Sequence, residues 1–530
     1  MVKPDQKQQN RFHGGNIVAE QRKPNILFIM ADQLAARYLG AYGHPLVKTP
    51  NLSRLAKEGV VFENCYSTSP LCAPARATVM NGLLPSRTGV YDNAAEFPSA
   101  IPTWAHYLRL NGYQTCLSGK MHFVGPDQLH GLEERLTTDI YPADFGWTPD
   151  WRLKQERIDW WYHNMTSVLQ PGIAEISNQL EFDDDVAFQA KRKLYDYARF
   201  SPEKPFAMLV SFTHPHDPYA ARKQFWDLYK DEDIDLPSVP HMKRADLDTH
   251  SQRLYDVSAM DDYKVAEADI RAARHGYYAN ISYVDDLIGQ LLDTLKALGQ
   301  LDNTVIVFTS DHGDFLGERG LWYKMSYLEP SAHVPLIVWH PASMKPRRVA
   351  EPVSLADIMP TLAAIGGTDS LARPVDGRSL LPLLQGAAEH ADAAAWGEYL
   401  AEGTISPMYM LRRGPWKFIY APTDPDQLFN LIDDPNELHN LAAIHPLGKK
   451  FHAEVVAKFN IPQIHEQVLQ SQQARLMMFE AMKQGGHFPW DFQPLRDASE
   501  QYTRNHMSVT ERDLKSRFPQ APDIENKRAK

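Results

Sequence analysis

Residues 25–33 have the sequence Asn-Ile-Leu-Phe-Ile-Met-Ala-Asp-Gln, an apolar run that ends in Asp32 and Gln33. An unbroken apolar run of this length is typical of a strand that is buried on both faces of a sheet. Open α/β sheets bind ligands outside the carboxyl ends of their strands, so Asp32 becomes a candidate site residue. The simpler alternative is that Asp32 caps the helix that follows.

Four further apolar runs predict additional strands, at residues 113–117, 206–212, 304–308 and 335–339. Side chains that bind metals or transfer protons follow the first three of these runs: Lys120, His122, His214, Asp311 and His312. Taken alone, each group could be a helix cap or part of a solvated surface pair. Chance placement would scatter them over both ends of the strands, whereas the carboxyl ends of parallel strands meet at one edge. We therefore predict an α/β fold with one site at this edge.

A second short stretch carries the most reactive candidate, Cys72. Between Thr68 and Arg76 this cysteine lies among small residues and prolines, and Arg76 follows it by four positions. A helix is predicted to begin near Pro74 and to end at Gly82. A sulfur at a helix N-terminus is expected to be unusually acidic and reactive. The alternative is a small, buried and inert apolar residue.

Composition restricts the class of protein. The chain has 530 residues, and its 55 basic and 66 acidic side chains give a net charge of −11, which argues against a nucleic-acid or anionic-membrane binder. Three cysteines provide no disulfide framework and suit a reducing compartment. Residues 1–23 form a polar arm without a secretory signal, and no run reaches the ~18 apolar residues that cross a bilayer. We therefore expect a soluble, cytoplasmic protein.

Residues 127–185 are irregular, acidic and rich in aromatic side chains. The aromatic residues and one histidine of this stretch are Tyr141, Trp147, Trp151, Trp160, Trp161, Tyr162 and His163. Aromatic side chains in a long loop can simply pin the loop to its domain. The alternative is a cage for a cation such as a quaternary ammonium, in which each contact contributes about 0.5–2 kcal/mol.

The character of the chain changes after residue 385. Residues 411–420 predict two antiparallel strands joined at Gly414 and Pro415, and residues 463–483 predict a helix. We therefore predict a small subdomain with an antiparallel sheet at 386–485. Residues 486–530 form an apolar and aromatic tail, which is expected to dock onto another subunit of a homo-oligomer, a dimer or a tetramer.

The candidate ligands suggest which metal would bind. Asp32, Asp311 and Gln33 offer oxygen, and His312 offers one imidazole nitrogen. This mixture suits a hard or borderline divalent cation such as Ca²⁺ or Mn²⁺ better than a zinc site built on thiolates. Three cations could surround a small tetrahedral oxyanion beside it: Arg76, Lys120 and Lys324. His122 and His214 then remain for proton transfer, with pKa values expected near the working pH.

These motifs resemble those of the sulfatases, within the alkaline-phosphatase-like superfamily. Residues 72–76 fit the signature C-x-P-x-R, residues 119–122 resemble the element G-K-x-H, and residues 311–313 resemble the second metal motif. The resemblance covers residues 24–385, the expected catalytic domain, with all elements in the family's order. Further segments resemble the choline-sulfatase branch of the family: 83–96, 125–131, 141–149 and 489–507. The resemblance implies a mixed sheet sandwiched by helices, followed by a smaller C-terminal α+β subdomain and an extended tail.

The resemblance also implies a mechanism. A formylglycine-generating maturation enzyme would convert Cys72 to formylglycine. The hydrated aldehyde at position 72 would bind the metal beside the other ligands and would attack sulfur. His214 and Lys324 would then protonate the leaving oxygen, and His122 with Lys120 would take the proton that restores the aldehyde. The remaining implied contacts are Arg76 to the diol or the metal shell and Asn93 to an ester oxygen.

The implied substrate is choline O-sulfate, hydrolysed to choline and sulfate. The first candidates for the choline cage are Trp147 and His163, with Glu398 or Glu402 as acidic partners. Gln33 and His312 depart from the commonest sulfatase pattern, which has Asp and Asn there, and they make the metal site less anionic. Phosphonate monoesters, phosphodiesters and other sulfate esters therefore remain alternative substrates. A non-catalytic choline-binding protein would need broken catalytic positions, and none is broken here.

Overall fold

The structure is a computed structural model that describes residues 23–154, 157–158, 162–484, 509–517, 519, 521–522 and 524. The predictions for the N-terminal arm and for most of the C-terminal tail therefore fall outside the described residues, as do Trp160 and Trp161.

The described strands are, in chain order, β1 Asn25–Asp32, β2 Val60–Tyr66, β3 Gln114–Gly119, β4 Glu134–Arg135, β5 Gly172–Ile173, β6 Phe206–Pro215, β7 Ala220–Ala221, β8 Thr304–Ser310, β9 His333–Trp339, β10 Arg347–Val349, β11 Val353–Ser354, β12 Ala394–Tyr399, β13 Met408–Arg413, β14 Trp416–Tyr420 and β15 Gln427–Asn430. The described α-helices are α1 Pro50–Glu58, α2 Cys72–Asn81, α3 Pro85–Thr88, α4 Trp104–Leu110, α5 Asn178–Phe200, α6 Lys223–Trp226, α7 Thr249–Val257, α8 Glu267–Ala297, α9 Glu329–Ala332, α10 Ile358–Ile365, α11 Leu381–Leu384, α12 Pro446–Lys458, α13 Ile461–Met482 and α14 Val509–Ser516. Among these helices, none combines the length and the apolar character that a membrane crossing requires.

A mixed sheet forms the centre of the molecule, with the strand order β10-β2-β9-β8-β1-β6-β3-β4 and with β11 paired to β2. β1 runs parallel to β6 and to β8, and β3 runs parallel to β6. β9 reverses the direction beside β8. Because β1, β3, β6 and β8 are parallel, their carboxyl ends meet at one edge, as the sequence predicted.

The central strand is buried on both faces, which explains its unbroken apolar run. Leu27, Ile29 and Ala31 belong to a core that includes side chains of α1, α5 and α8. Ile26, Phe28 and Met30 belong to a second core, with α2, α4 and α10. The period of two along a strand sends alternate side chains into the two cores, so the sheet is sandwiched by helices.

A second, antiparallel sheet has the strand order β12-β13-β14-β15. β13 and β14 pair antiparallel around the turn at Gly414 and Pro415, which confirms that prediction. Its own small core includes Tyr409, Leu411 and Phe418 from the sheet and Phe451 from α12. All of these residues lie in the segment 386–485 that was predicted to form a small subdomain.

Candidate functional site

The carboxyl edge of the central sheet carries the candidate site. Asp32 is the last residue of β1, Lys120 follows β3, His216 follows β6 and Asp311 follows β8. All four side chains are buried. Gly119 ends β3 with φ +113°, and a Cβ there would lie 2.0 Å from the carbonyl oxygen of Ser211. Only glycine therefore lets β3 approach β6 closely enough to bring Lys120 into the site.

Cys72 is the first residue of α2, which ends at Gly82 in the left-handed region (φ 72°), as predicted. Its Sγ lies 3.3 Å from Nε2 of His312 and 3.5 Å from Nζ of Lys120. The predicted acidity is wrong. Burial and the carboxylate of Asp32 raise the pKa of Cys72 to about 11, and they outweigh the opposing effect of Lys120. The thiol is therefore protonated at neutral pH.

Cys72 lies in a group of buried polar and charged side chains, called here the ionic cluster. Its members are Asp32, Cys72, Arg76, Lys120, Asp311 and His312. Nε of Arg76 donates to Asp311 over 2.8 Å, and Nζ of Lys120 donates to Asp32. Burial raises the pKa of Asp32, but Lys120 and the neighbouring cations outweigh it and hold that pKa well below its usual range. The carboxylate of Asp32 is thus kept ionised although it is buried.

Four side chains of this ionic cluster could hold a metal ion. One ligand atom each from Asp32, Cys72, Asp311 and His312 lies within 4.8 Å of the others. Two carboxylates and an imidazole fit a hard or borderline divalent cation. Gln33 was predicted as a further ligand, but here its Oε1 accepts from Nζ of Lys324 over 2.6 Å. Its Nε2 donates to Asp314 and Asp217, so the side-chain amide has three polar partners in this structure.

The histidine beside Lys324 is His216, whereas the sequence predicted His214. Nε2 of His216 lies 2.9 Å from Nζ of Lys324, and both residues line the cavity described below. His214 still belongs to β6, and its Nδ1 lies 2.7 Å from the buried carboxylate of Asp183. The prediction fails because β6 extends to Pro215, three residues beyond the predicted end of the strand.

His122 lies at the site, as predicted, but in a different protonation state. Burial and the charge of Lys120 lower the pKa of His122 to about 3, so a pKa near the working pH is not found. Among the described residues, neither ring nitrogen has a hydrogen-bond partner. The ring lies edge-on to Trp147, with 5.7 Å between centroids. The buried imidazole of His122 is therefore uncharged at neutral pH, which is the form that a general base requires.

A cavity of about 280 Å³ opens from Cys72. His122, His216 and Lys324 line it together with Cys72. Its lining also includes Trp147, Tyr162, His163 and Glu402, a set called here the aromatic wall. The prediction had singled out Trp147, His163 and Glu402, and the structure brings them together in one cavity with Cys72. Asn93 also lines the cavity, and its Oδ1 accepts the backbone N–H of Ala73 over 2.9 Å.

The two candidate glutamates have different surroundings. Burial raises the pKa of Glu402 to about 8, and Asp92 adds to the shift. Among the described residues, its Oε2 has no hydrogen-bond partner. Glu398 does not line the cavity, because its Oε2 accepts the backbone N–H of Ser86, at the start of α3. The structure therefore brings Glu402, and not Glu398, to the aromatic wall.

Several lining residues were not among the predicted site residues. Tyr141 was named in the predicted aromatic stretch but not among the first cage candidates, and Nζ of Lys120 is 4.1 Å from its ring centroid. Asp217 follows His216 and accepts from Gln33. Phe479 of α13 and Asp513 of α14 come from the far C-terminal part of the chain. No local pattern connects these last two positions to strand ends more than 150 residues away.

Comparisons with known proteins agree with this geometry. Residues 24–368 match the family model described as sulfatase, and residues 466–518 match the one described as choline sulfatase enzyme C terminal. Residues 317–465 match the model of the C-terminal part of N-sulphoglucosamine sulphohydrolase.

Individual relatives extend over most of the chain. A choline-sulfatase of Rhizobium meliloti (strain 1021) is 50% identical over 509 residues, which is 94% of this chain and 99% of that protein. Arylsulfatase K of Danio rerio is 31% identical and covers 80% of this chain and 81% of that protein. The solved phosphonate monoester hydrolase of Agrobacterium radiobacter shares the fold, with a TM-score of 0.66 at 24% identity, over 83% of this chain and 96% of that one. The chain therefore belongs to the sulfatase family, whose members hydrolyse sulfate esters.

Proposed function

We propose that this enzyme hydrolyses choline O-sulfate to choline and sulfate. One observation carries the proposal: a single cavity joins the ionic cluster around Cys72 to an aromatic wall that contains Glu402. A substrate with an anionic ester at one end and a quaternary ammonium at the other would match both ends. The choline-sulfatase of Rhizobium meliloti, at 50% identity over nearly the whole chain, supports the same substrate.

The ionic cluster suits attack at sulfur. We propose that Cys72 is converted to formylglycine and that Asp32, Cys72, Asp311 and His312 hold a divalent cation, Ca²⁺ or Mn²⁺. When present, these groups supply a hydrated aldehyde as the nucleophile and a Lewis acid beside it. Arg76 donates to Asp311 and to the backbone oxygen of Lys120, and in this way it fixes the carboxylate and the ammonium group around the reacting centre.

Two groups that line the cavity together with Cys72 would move the protons. Lys324 holds a proton at Nζ, 2.9 Å from Nε2 of His216, and this pair would protonate the departing choline oxygen. Burial and Lys324 lower the pKa of His216 to about 3, so in the free enzyme the shared proton stays on the lysine. His122 would accept the proton that is released after sulfate has been transferred.

The aromatic wall suits the choline head group. A quaternary ammonium offers no N–H donor, so ring faces and a carboxylate are the groups that hold it best. Trp147 and His163 offer rings, and His163 is fixed by stacking on Tyr323 with 4.0 Å between centroids. Glu402 would ionise when the cation binds, because a positive charge favours the carboxylate form.

The experiment uses the full chain, coexpressed with a formylglycine-generating enzyme and loaded with Ca²⁺ or Mn²⁺ in parallel. Peptide mass spectrometry tests for the aldehyde at Cys72, and release of choline and sulfate is measured. We compare choline O-sulfate with its neutral isostere, 3,3-dimethylbutyl sulfate, and with a phosphodiester. We expect the highest kcat/KM for choline O-sulfate. A higher value for the phosphodiester, or none for choline O-sulfate with modified and metal-loaded protein, would overturn the proposal.

A further inference from the structure

The helix α13 lies outside the sheet edge, yet it bears two buried polar side chains. Gln472 is 1% exposed and Arg475 is 4% exposed, whereas the other residues of α13 from 469 to 482 are partly or fully exposed. Positions three apart lie on one face of a helix, so both side chains point into the molecule together. A buried guanidinium and a buried amide need partners there.

Arg475 joins two loops of the cavity. Its Nη1 and Nη2 lie 2.7 Å from Oδ1 and Oδ2 of the buried Asp92, a bidentate ion pair. Nη1 also donates to Oγ1 of Thr148 over 3.1 Å. Asp92 precedes Asn93 and Thr148 follows Trp147, so one guanidinium fixes the chain neighbours of two cavity residues.

Gln472 makes an equivalent link to a third segment. Its Oε1 accepts the backbone N–H of Trp151 over 3.0 Å. The indole Nε1 of Trp151 in turn donates to the backbone oxygen of Ala401 over 2.9 Å. Ala401 immediately precedes Glu402, so this chain of contacts ends at the carboxylate of the aromatic wall.

We propose that Arg475, assisted by Gln472, is a positioning residue that sets specificity for the cationic end of the substrate. Trp147 and Glu402 come from separate segments that α13 supports. Arg475 bonds Thr148, the neighbour of Trp147, and Gln472 holds Trp151, which bonds Ala401, the neighbour of Glu402. This inference rests on the proposed function, because it assigns the aromatic wall to the choline head group. The described contacts that fix the ionic cluster, such as Arg76 to Asp311, come from residues outside α13.

The fork geometry of arginine is what this role requires. A guanidinium bonds a carboxylate with two parallel N–H groups and still has a donor for a third acceptor, whereas an ammonium group cannot reproduce that plane. Arg475→Lys therefore keeps the charge and loses the geometry. Displacement of a binding group by about 1 Å can cost on the order of 100-fold in rate.

The test measures kcat and KM of Arg475→Lys and Gln472→Leu with two substrates, choline O-sulfate and 4-nitrophenyl sulfate. The second substrate has no cationic group. Arg274→Lys is the matched control, because Arg274 is 2% exposed and pairs with Asp235 outside the cavity lining. We expect KM for choline O-sulfate to rise by about 10- to 100-fold in both α13 variants. We expect kcat/KM for 4-nitrophenyl sulfate to stay close to that of the unaltered enzyme.

Four outcomes are distinguishable. If the unaltered enzyme turns over 4-nitrophenyl sulfate but not choline O-sulfate, the proposed function fails. If the unaltered enzyme uses choline O-sulfate but the α13 variants lose both substrates equally, their role is structural and the inference is overturned. It is also overturned if Arg274→Lys raises KM for choline O-sulfate as much as Arg475→Lys does, or if neither α13 variant raises it.

Discussion

The ionic cluster and the aromatic wall share one cavity but are built in different ways. In the ionic cluster, Asp32 and Asp311 come directly from strand ends, and each negative charge has a cation against it. In the aromatic wall, Trp147, His163 and Glu402 come from loops, and the described contacts of Glu402 include no ion pair. The cluster is therefore held by the sheet and by its own charges, whereas the wall depends on what packs behind it.

We therefore expect the ionic cluster to carry the reaction and the aromatic wall to set substrate selectivity. Hydrogen bonds between parallel strands fix the relative positions of their carboxyl ends. Side chains that follow these ends therefore converge in a defined geometry. Loops need distant supports, and here a C-terminal helix supplies them through Arg475 and Gln472. Changes in the cluster should therefore affect all substrates alike, and changes in the wall should affect the substrate with a cation most.

The largest expected effect is that of Cys72→Ala. Removal of the nucleophile of a hydrolase costs about 10⁶-fold in kcat, and the loss should be similar for choline O-sulfate and for 4-nitrophenyl sulfate. Steady-state turnover of both substrates measures it, and a thermal melt checks that the protein is folded. Retained turnover in Cys72→Ala would contradict the assignment of the nucleophile.

The second largest expected effect distinguishes the role of His216 from that of His214. His216→Asn should lower kcat for choline O-sulfate by about 10²- to 10⁴-fold, because an alkoxide needs a proton to leave. The loss should be smaller for 4-nitrophenyl sulfate, since nitrophenolate leaves without protonation. His214→Asn is the control: it removes the contact to Asp183, so it should lower the melting temperature and leave kcat nearly unchanged. The reverse ranking of the two variants would restore His214 as the catalytic residue.

Trp147→Ala tests the aromatic wall. Loss of one cation–π contact of about 0.5–2 kcal/mol should raise KM for choline O-sulfate by about 2- to 30-fold. kcat/KM for 4-nitrophenyl sulfate should change less, because that substrate has no positive charge. Trp147→Phe retains a ring face and should recover part of the affinity. Equal losses for the two substrates would argue against a cation at this wall.

The smallest expected effect is the pH dependence that comes from Glu402. With a pKa of about 8, the carboxyl group is protonated at pH 6 and ionised above pH 8. KM for choline O-sulfate should therefore fall as pH rises from 6 to 8, by less than the change in Trp147→Ala, and then level off. KM for 3,3-dimethylbutyl sulfate should lack this trend, and Glu402→Gln should abolish it.

The same carboxyl group predicts a change in stability. Its folded-state pKa of about 8 is above the value of 4.5 for an unfolded Glu, so folding favours the protonated form. The stability that it contributes is complete below about pH 4.5 and is lost as pH rises to about 8. Glu402→Gln should remove this part of the pH dependence of the melting temperature. An unchanged profile would mean that Glu402 is not buried as described.

Much of the ionic cluster could be predicted from the sequence because its signals are local. An apolar run followed by Asp32, and another followed by Asp311, already place two carboxylates at one edge of a sheet. The choice between His214 and His216 could not be made in this way. The two residues are two positions apart, and the end of β6 depends on pairing with β1 and β3 rather than on the strand's own residues.

The sequence by itself determined the parallel strands, the position of Cys72 at the start of α2 and the family motifs, because these depend on periodicity and spacing within a few residues. Only the tertiary structure decided that Cys72 is a weak acid, that Glu402 rather than Glu398 faces the cavity and that Arg475 supports the aromatic wall. Burial and electrostatic environment are sums over neighbours that lie far apart in the chain, and no local pattern of residues contains those sums.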